Sequence, residues 1–446
     1  MPAMTRTGRR AFLSALGLAA TAPWIASCRM PRVLRRPDEP LRLALIGTGN
    51  RGWENLEEIR HERIVAFCDV DRGLLGRARA GFPEASTFAD FRELIADARE
   101  LDLDGVVVAT PDHTHALASA LALEAGLPVY CEKPLVHSLD EAALLRKLAT
   151  KAGVPTQMGT QIHATPNYRR VVEAIRAGAV GRVTAVDCWQ HKTWGDGKLT
   201  PGATPPPDLD WDLWQGPVPR TGYIEGIHPA NWRRYWAYGT GTLGDMGCHI
   251  LDLPFWALGL ERFTGPMEVR ADGPPPDAVG APAWLEASWA IPQPGGLDPL
   301  VLRWFDGGRK PPFVEEIGAK DRVDYHGRFS VCFQGTEGAL FANYDEMLLW
   351  PGVRREAWRA PEPTISPSAG HHREWLAAIR AGQPTAPLCH FGYASRLTEL
   401  VLLGTVAYRA GRAVTADFGR DRLVADASLA GVRSGPVERG WELPKA

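Results

Sequence analysis

Apolar positions in this chain fall into two rhythms. Between residues 41 and 158, short unbroken apolar runs alternate with stretches of helical spacing. Runs over 41–46, 63–68, 104–109 and 128–131 predict buried strands, and the stretches 53–60, 72–80, 113–125 and 138–152 predict helices between them. Strands and helices in alternation build a doubly wound parallel sheet. Ser138 stands three positions before Glu141, the spacing of a capping box, which fixes where the last of these helices begins.

Beyond about residue 160 the rhythm becomes α+β. A helix over 167–177 and a strand over 182–191 precede a Pro-, Gly- and Asp-rich stretch, 195–219, and then a segment, 223–238, dense in Trp, Tyr and Arg. Long loops of this kind in a compact domain are often functional. Strands over 284–291, 300–305, 329–334, 339–343 and 347–350 predict one large, mostly antiparallel sheet, and helices over 370–381 and 392–409 close the chain. The predicted class is α/β plus α+β, with one domain over 41–160 and a second over 161–446.

A length of 446 residues allows two or three domains, and 45% hydrophobic residues is ordinary for a soluble globular protein. The formal net charge of −2 gives no nucleic-acid footprint. Cys68, Cys131, Cys188, Cys248, Cys332 and Cys389 are scattered with no CxxC, and buried free thiols are the default for them.

Basic residues cluster only at the start, where Arg6, Arg9, Arg10, Arg29, Arg32, Arg35 and Arg36 precede the first acid, Asp38. Thr7-Gly8-Arg9-Arg10-Ala11-Phe12-Leu13, before an apolar stretch reaching Ala26, resembles a twin-arginine export signal. The stretch is too short and interrupted for a membrane span. Ile25-Ala26-Ser27-Cys28 resembles a lipobox, in which Cys28 becomes a lipidated first residue; a cleaved signal with an incidental cysteine is the alternative. This gives a signal over 1–28 and a linker over 29–40, with the twin-arginine machinery as a partner. The predicted location is the periplasm, free or lipid-anchored.

The strand over 41–46 runs into Gly47-Thr48-Gly49-Asn50-Arg51-Gly52 and then into a helix. The first glycine permits the tight turn, the second lets a pyrophosphate approach the backbone, and the third lets helix and strand pack closely. The helix N-terminus then faces the phosphates. This is the fingerprint of a Rossmann dinucleotide domain. Asp69 ends the second strand, where an acid would hydrogen-bond the adenosine ribose and repel a 2′-phosphate, so NAD is favoured; Arg72 leaves room for NADP. Asp69 can equally be a helix N-cap.

Ala109-Thr110-Pro111-Asp112-His113-Thr114-His115 follows the strand over 104–109, at the carboxyl edge where such sheets bind ligands. Thr110 and Pro111 therefore belong with the nicotinamide half of the cleft. His113 and His115, at i and i+2, do not share a helix face, so shaping the cofactor site or capping the helix is preferred to catalysis or metal ligation. Lys133, in Tyr130-Cys131-Glu132-Lys133-Pro134, ends the next strand. An amine beside a nicotinamide suits hydride chemistry.

A second constellation is Gly244-Asp245-Met246-Gly247-Cys248-His249-Ile250-Leu251-Asp252, on a predicted helix continuing through Trp256. Asp245, His249 and Asp252 at i, i+4 and i+7 share one face. Gly244 and Gly247 predict a close approach by nicotinamide or substrate. A structural histidine bonded to nearby carboxylates is the alternative, and no further ligand set supports a metal.

These motifs, in this order and spacing over roughly residues 41–410, resemble the Gfo/Idh/MocA oxidoreductase family, especially its exported twin-arginine members. The resemblance implies a Rossmann domain and a C-terminal α/β domain on an open-faced sheet, often oligomerising through that sheet, with the late helices returning toward the Rossmann domain. It also implies NAD(P)-dependent hydride transfer at a secondary hydroxyl or keto group of a sugar, polyol or inositol. Lys133, Asp245 and His249 match the family's catalytic lysine, aspartate and histidine. Glu132 and Gln161 join the cofactor residues named above, and Trp232 and Arg233 join Asp245 and His249 on the substrate side.

The chemistry asks for the same residue types. Oxidising a secondary alcohol removes a proton from oxygen as hydride leaves carbon, so a base must reach the hydroxyl. Lys133 can accept that proton or polarise the oxygen, and His249 can share it, with Asp245 holding the imidazole or a substrate hydroxyl. Which of the two is the base stays open; Glu132 and Pro134 orient the lysine. Trp189, Trp194, Trp211, Trp214, Trp232 and Trp236 offer stacking faces for a carbohydrate, or else core and oligomer contacts. Arg233, Arg234 and His228 suit an acidic or phosphorylated substituent. Two other readings remain: an NAD-dependent glycosidase working by transient oxidation and elimination, against which the lysine triplet speaks, and a non-catalytic NAD-binding sensor. Export of a folded protein also predicts a tightly bound cofactor.

Overall fold

The computed structural model describes residues 39–314, 317, 329–418, 420 and 423–445. The signal expected over 1–28, with Cys28, lies outside the described residues. The first sheet holds β1 (Arg42–Ile46), β2 (Arg63–Cys68), β3 (Ser86–Phe88), β4 (Gly105–Val108), β5 (Val129–Cys131) and β6 (Thr156–Met158), all parallel, in the order β3-β2-β1-β4-β5-β6. Successive β1 residues serve different cores: Ala44 and Ile46 join the main one, and Leu43 and Leu45 a smaller one with Phe67, Tyr130 and Trp375. A strand buried on both faces must read as an unbroken apolar run, as it does here.

Between the strands lie α1 (Arg51–Ile59), α2 (Arg72–Gly81), α3 (Phe91–Ala96), α4 (Asp112–Glu124) and α5 (Leu139–Ala152). The Ser138/Glu141 capping box is formed at the head of α5. Three short elements escape the sequence pattern: β3 is a three-residue edge, α3 is barely two turns, and β6 carries the polar Thr156 and Gln157. The strand order reverses between β1 and β4, and such a switch point opens a crevice at the carboxyl edge.

Register places the motifs around that crevice. Ile46 pairs with Cys68 and with Val108, and Val108 pairs with Cys131. The residues that follow those ends, namely Gly47, Asp69, Ala109 and Glu132, therefore share one level of the sheet.

The second sheet is eight-stranded, in the order β13-β12-β11-β7-β10-β9-β8-β14. Its strands are β7 (Val183–Trp189), β8 (Pro266–Asp272), β9 (Glu286–Ile291), β10 (Leu300–Phe305), β11 (Val331–Gly335), β12 (Gly338–Ala342), β13 (Met347–Trp350) and β14 (Val414–Asp417). Only β7 and β10 run parallel; every other pairing is antiparallel. β8 and β14 are absent from the sequence reading, because β8 alternates charged outer positions with buried Met267 and Val269 over a short span.

The remaining helices of the site are α6 (Pro166–Arg176), α7 (Trp211–Gln215), α8 (Gly241–Ile250) and α9 (Asp252–Ala257). The long helix Phe391–Ala410 packs on α8, on β8 and also on α5, so it ties the second sheet to the first layer. The helix His371–Ala381 packs on α1, with Trp375 fully buried beside Gly105.

Candidate active site

The glycine turn is shaped by contacts that exclude side chains. Gly47 has φ +90°, and a Cβ there would lie 2.6 Å from the Ala109 carbonyl oxygen; one on Gly52 would lie 2.1 Å from the Gly47 carbonyl oxygen. Asn50, at the head of α1, makes no side-chain cap bond, while the Gly52 amide donates to the Gly49 carbonyl at 2.8 Å and closes the turn. This cradle, which any side chain would fill, fits a dinucleotide pyrophosphate. A cleft with a cavity volume of about 190 Å³ runs from Gly47, Gly49, Asn50 and Arg51 past Asp69 to Thr110, Pro111, Glu132 and Lys133.

Asp69 sits where the sequence places it, and its carboxylate braces the turn. Oδ2 accepts from Thr48 N at 2.7 Å and from Thr48 Oγ1 at 2.9 Å, while Oδ1 accepts from Asp71 N at 3.0 Å. Burial pushes its pKa up, against those hydrogen bonds. Its alternative role as N-cap is corrected: Asp71 caps α2, accepting from the amides of Gly73 and Leu74. Arg72 turns away, donating to the Pro207 carbonyl with Asp208 at 3.8 Å.

Lys133 stands at the far end of the cleft. Its Nζ donates to Asp245 Oδ1 at 2.5 Å and to the Asp245 carbonyl at 2.9 Å. The same carboxylate accepts from Lys192 Nζ at 2.9 Å and Trp194 Nε1 at 2.7 Å on Oδ2, and from Arg233 Nε at 3.1 Å on Oδ1. Three cations hold its pKa well below the usual carboxylate range despite burial. Glu132 does not reach the lysine ammonium. Its Oε1 gathers Arg51 Nε at 3.2 Å, Asn55 Nδ2 at 3.0 Å and Gln161 Nε2 at 2.9 Å, anchoring α1 to the end of β5. Gln161 is thus placed behind Glu132, outside the cleft lining.

His249 is part-buried, with Nδ1 enclosed and lacking a hydrogen-bond partner among the described residues. Desolvation first, and the Lys133 ammonium second, hold its pKa well below the ordinary value, so the ring is neutral at pH 7. Asp245 makes no hydrogen bond to it, so the expectation that Asp245 fixes the imidazole tautomer is corrected.

The predicted single helix through Trp256 is also corrected. The chain breaks at Leu251 into α8 and α9, because Pro254 has no N–H to return to the Ile250 carbonyl. Asp252 then meets another set: His163 Nδ1 lies 2.8 Å from its Oδ2, and Tyr393 donates to its Oδ1 at 2.7 Å. The Sγ of Cys389 lies within 4.8 Å of the His163 and Asp252 ligand atoms, and burial pushes its thiol well above the ordinary value. Gly244 and Gly247 likewise admit no ligand, since a Cβ there would meet Thr240 Oγ1 at 1.9 Å and Leu243 Cδ1 at 3.0 Å.

His113 and His115 are buried against carbonyls. His113 Nε2 lies 3.0 Å from Trp214 O, and His115 places Nδ1 and Nε2 each 2.8 Å from Pro134 O and Thr110 O. Neither lines the cleft. Of the six tryptophans, Trp214 and Trp232 do, while also belonging to a buried cluster with Tyr223 and Tyr238; Trp189 and Trp236 belong to other cores.

Lys192 was not foreseen, although it follows the end of β7, a carboxyl-edge position that could have signalled it; Trp194, expected as a stacking face, donates to Asp245. Segment 208–210 pairs with the first domain, Arg72 N to Asp208 O at 2.9 Å and Asp210 N to Val70 O at 2.9 Å, and His228 Nε2 lies 3.1 Å from Asp71 Oδ2. The Pro-rich loop thus straps the adenosine side. Asp112, at the start of α4, accepts from Thr240 Oγ1 at 2.8 Å, and burial pushes its pKa up to about 7.

All six described cysteines are free and buried. No helix among the described residues is long and apolar enough to cross a membrane.

Two models of one family match the chain: the oxidoreductase family GFO/IDH/MocA, NAD-binding Rossmann fold, over residues 41–160, and its C-terminal alpha/beta domain over residues 174–290. Inositol 2-dehydrogenase 1 of Saccharopolyspora erythraea is 34% identical over 157 residues, 33% of this chain and 45% of that protein. A glycosyl hydrolase family 109 protein of Stenotrophomonas maltophilia is 30% identical over 191 residues, 40% of this chain and 42% of that protein. The matches span less than half the length of these two relatives. In fold, the chain is similar to the crystal structure of the WlbA dehydrogenase from Bordetella pertussis in complex with NADH and UDP-GlcNAcA, with a TM-score of 0.58 at 16% identity, covering 84% of this chain and 98% of that one.

Proposed function

The chain belongs to the Gfo/Idh/MocA oxidoreductase family, and from that premise we propose that it is an NAD-dependent oxidoreductase acting on a secondary hydroxyl or keto group of a sugar, polyol or inositol. The observation that carries this reading is the placement of Lys133, paired with Asp245, at the end of the cleft that begins at the glycine turn. The bound nicotinamide supplies the hydride acceptor or donor. Gly47 to Gly52 and the head of α1 hold the pyrophosphate, and Asp69 receives the adenosine ribose. Arg72, three positions after Asp69, is engaged by Pro207 and Asp208, which supports NAD over NADP.

At the reacting end, Lys133 and His249 divide the acid and base work. Lys133, in an ion pair, presents an ammonium that polarises the substrate oxygen. His249, held neutral by burial and by the Lys133 ammonium, is the second candidate for the hydroxyl proton in the oxidising direction. Asp245 keeps the lysine in place and compensates its charge. The test is to identify the cofactor released on denaturing fresh protein, then to screen carbohydrates for formation of reduced nicotinamide. Turnover retained in Lys133→Ala sinks the assignment.

The likeness to a glycosyl hydrolase family 109 protein favours a second reading, glycoside cleavage by transient oxidation. Sugar released without net NADH would select it.

Our proposal extends to location and assembly. The twin-arginine pattern supports export to the periplasm, with Cys28 as a lipid attachment point, and the 208–210 strap supports a cofactor that stays bound through gel filtration. An oligomer formed through the second sheet completes the reading. Fractionation, mass spectrometry of the mature N-terminus and light scattering test these in turn.

A further inference from the structure

Asp245 is surrounded by more positive charge than one carboxylate balances. Lys133, Lys192 and Arg233 place cationic nitrogens 2.5, 2.9 and 3.1 Å from its oxygens. Arg234 adds a fourth cation, since Lys192, Arg233 and Arg234 lie 4.9, 5.6 and 5.7 Å from the Trp194 ring centroid. The other acids that act here do not restore neutrality. Asp112, with a pKa pushed up to about 7, is only partly ionised at neutral pH, and Glu132 is paired with Arg51. Like charges gathered at a partly desolvated site repel one another unless an anion joins them.

The cations also keep unused donors. Beyond Asp245 and the Trp194 ring, the Lys192 ammonium meets the Met246 sulfur, at 3.9 Å, among the described residues, and its side chain is 41% accessible. The Arg233 guanidinium carbon sits over Trp232, 4.0 Å from the ring centroid, with Nε on Asp245 and Nη1 on the Ala230 carbonyl at 3.4 Å. Its Nη2 has no partner among the described residues. Arg233 and Trp232 line the cleft together with Lys133, so the open edge of the guanidinium belongs to the space where a substrate lies. A stacked, planar guanidinium beside an ammonium is suited to an oxyanion.

We propose that the substrate carries an anionic group, a carboxylate or a phosphate, which binds Lys192 and Arg233 while its reacting hydroxyl meets Lys133 and His249. This rests on the oxidoreductase reading only for the identity of the reacting hydroxyl. The anion pocket itself stands on the charge and donor geometry.

The experiment measures binding and turnover separately on protein loaded with NAD. Aldonates, hexuronates and hexose phosphates are each compared with their neutral parent sugar by calorimetry, at low and high salt. Anionic members are expected to bind about 10- to 100-fold more tightly than their parents, with the preference shrinking as salt rises. The carboxylate and phosphate arms show which oxyanion is preferred. Lys192→Gln is expected to remove most of the preference and Lys192→Arg to keep it, with thermal melts of both checking that they fold. If no anionic member outbinds its neutral parent, the inference is overturned. Tighter binding of acids without any NADH formed keeps the anion pocket and removes the hydride reading. Turnover of neutral sugars with no preference for acids does the reverse.

Discussion

Lys133 and Asp245, 112 positions apart in sequence, meet through two hydrogen bonds, from Nζ to Oδ1 at 2.5 Å and to the carbonyl oxygen at 2.9 Å. One residue follows the last strand-end of the cleft and the other lies in the first half of α8, so this pair joins the cofactor layer to the substrate layer. Replacing Lys133 by Met removes the polarising ammonium but leaves Asp245 compensated by Lys192 and Arg233. Hydride transfer is expected to fall about 10²- to 10⁴-fold with NAD still bound, as read by single-turnover kinetics and cofactor content. Asp245→Ala, in contrast, leaves three cations facing one another and is expected to cost about 3 kcal/mol or more in chemical denaturation.

Gly52→Ala brings a Cβ to 2.1 Å from the Gly47 carbonyl oxygen, a backbone atom that cannot swing aside. Purified variant is expected to lack dinucleotide, measured by releasing and quantifying the cofactor. A fully loaded variant would show that the turn does not hold the pyrophosphate.

Asp69→Ser keeps a short side chain near Thr48 and removes the negative charge. The ratio of kcat/KM with NADP to that with NAD is expected to rise about 5-fold or more, as a carboxylate close to a 2′-phosphate costs at least about 1 kcal/mol. Weaker binding of NAD itself should accompany this, because Thr48 loses its acceptor.

Stability should fall on acidification. His113 is held near 3, His371 near 4 and His372 near 3, in each case mainly by burial. Each is neutral when folded and becomes protonated in the unfolded chain below about 6.5. Their contribution is complete above that value and is lost as pH falls from about 6.5 toward 3 to 4, by up to about 1.4 kcal/mol per pH unit for each. Asp112 and Glu141, raised to about 7, act oppositely, losing stability as pH rises from about 4 to 7. His137, held near 4 by burial, joins the first group, and Asp306, raised to about 7 by burial, joins the second; with four histidines against three carboxyls, a net decline below pH 6 is expected in thermal melts. His372→Gln should flatten it.

Asp252→Asn weakens the buried pair with His163 and the bond from Tyr393, both away from the cleft. The expected result is a loss of about 2 kcal/mol or more in denaturation, with NAD content retained. Loss of hydride transfer in a variant that stays fully folded at the assay temperature would place Asp252 in the reacting set after all.

Much of this was legible in sequence because it depends on near neighbours. The first sheet's strands are continuous apolar runs since both faces are covered, and the glycine turn, Asp69 and Lys133 each follow a strand end. Parallel register then sets those ends at one level. The Ser138/Glu141 box is likewise local, two side chains capping one helix turn. Pro254 carried a signal that periodicity overrode, since a proline within the pattern predicted the break that turns Asp252 toward His163.

What only the tertiary structure decided is which charges face one another. No spacing rule relates Lys192, Trp194 and Arg233 to Asp245, because they come from the end of β7, the loop beyond it and the turn before α8, and meet only when the second sheet folds against the first layer. Nor does sequence say that Arg72 is taken by Pro207 and Asp208, or that the 208–210 strap crosses to Val70 and Arg72. By itself the sequence determined a dinucleotide fold with a lysine at the end of its cleft. Long-range packing determined the electrostatic setting of that lysine, because Coulomb interactions depend on distance through space and burial, and neither is written in the order of residues.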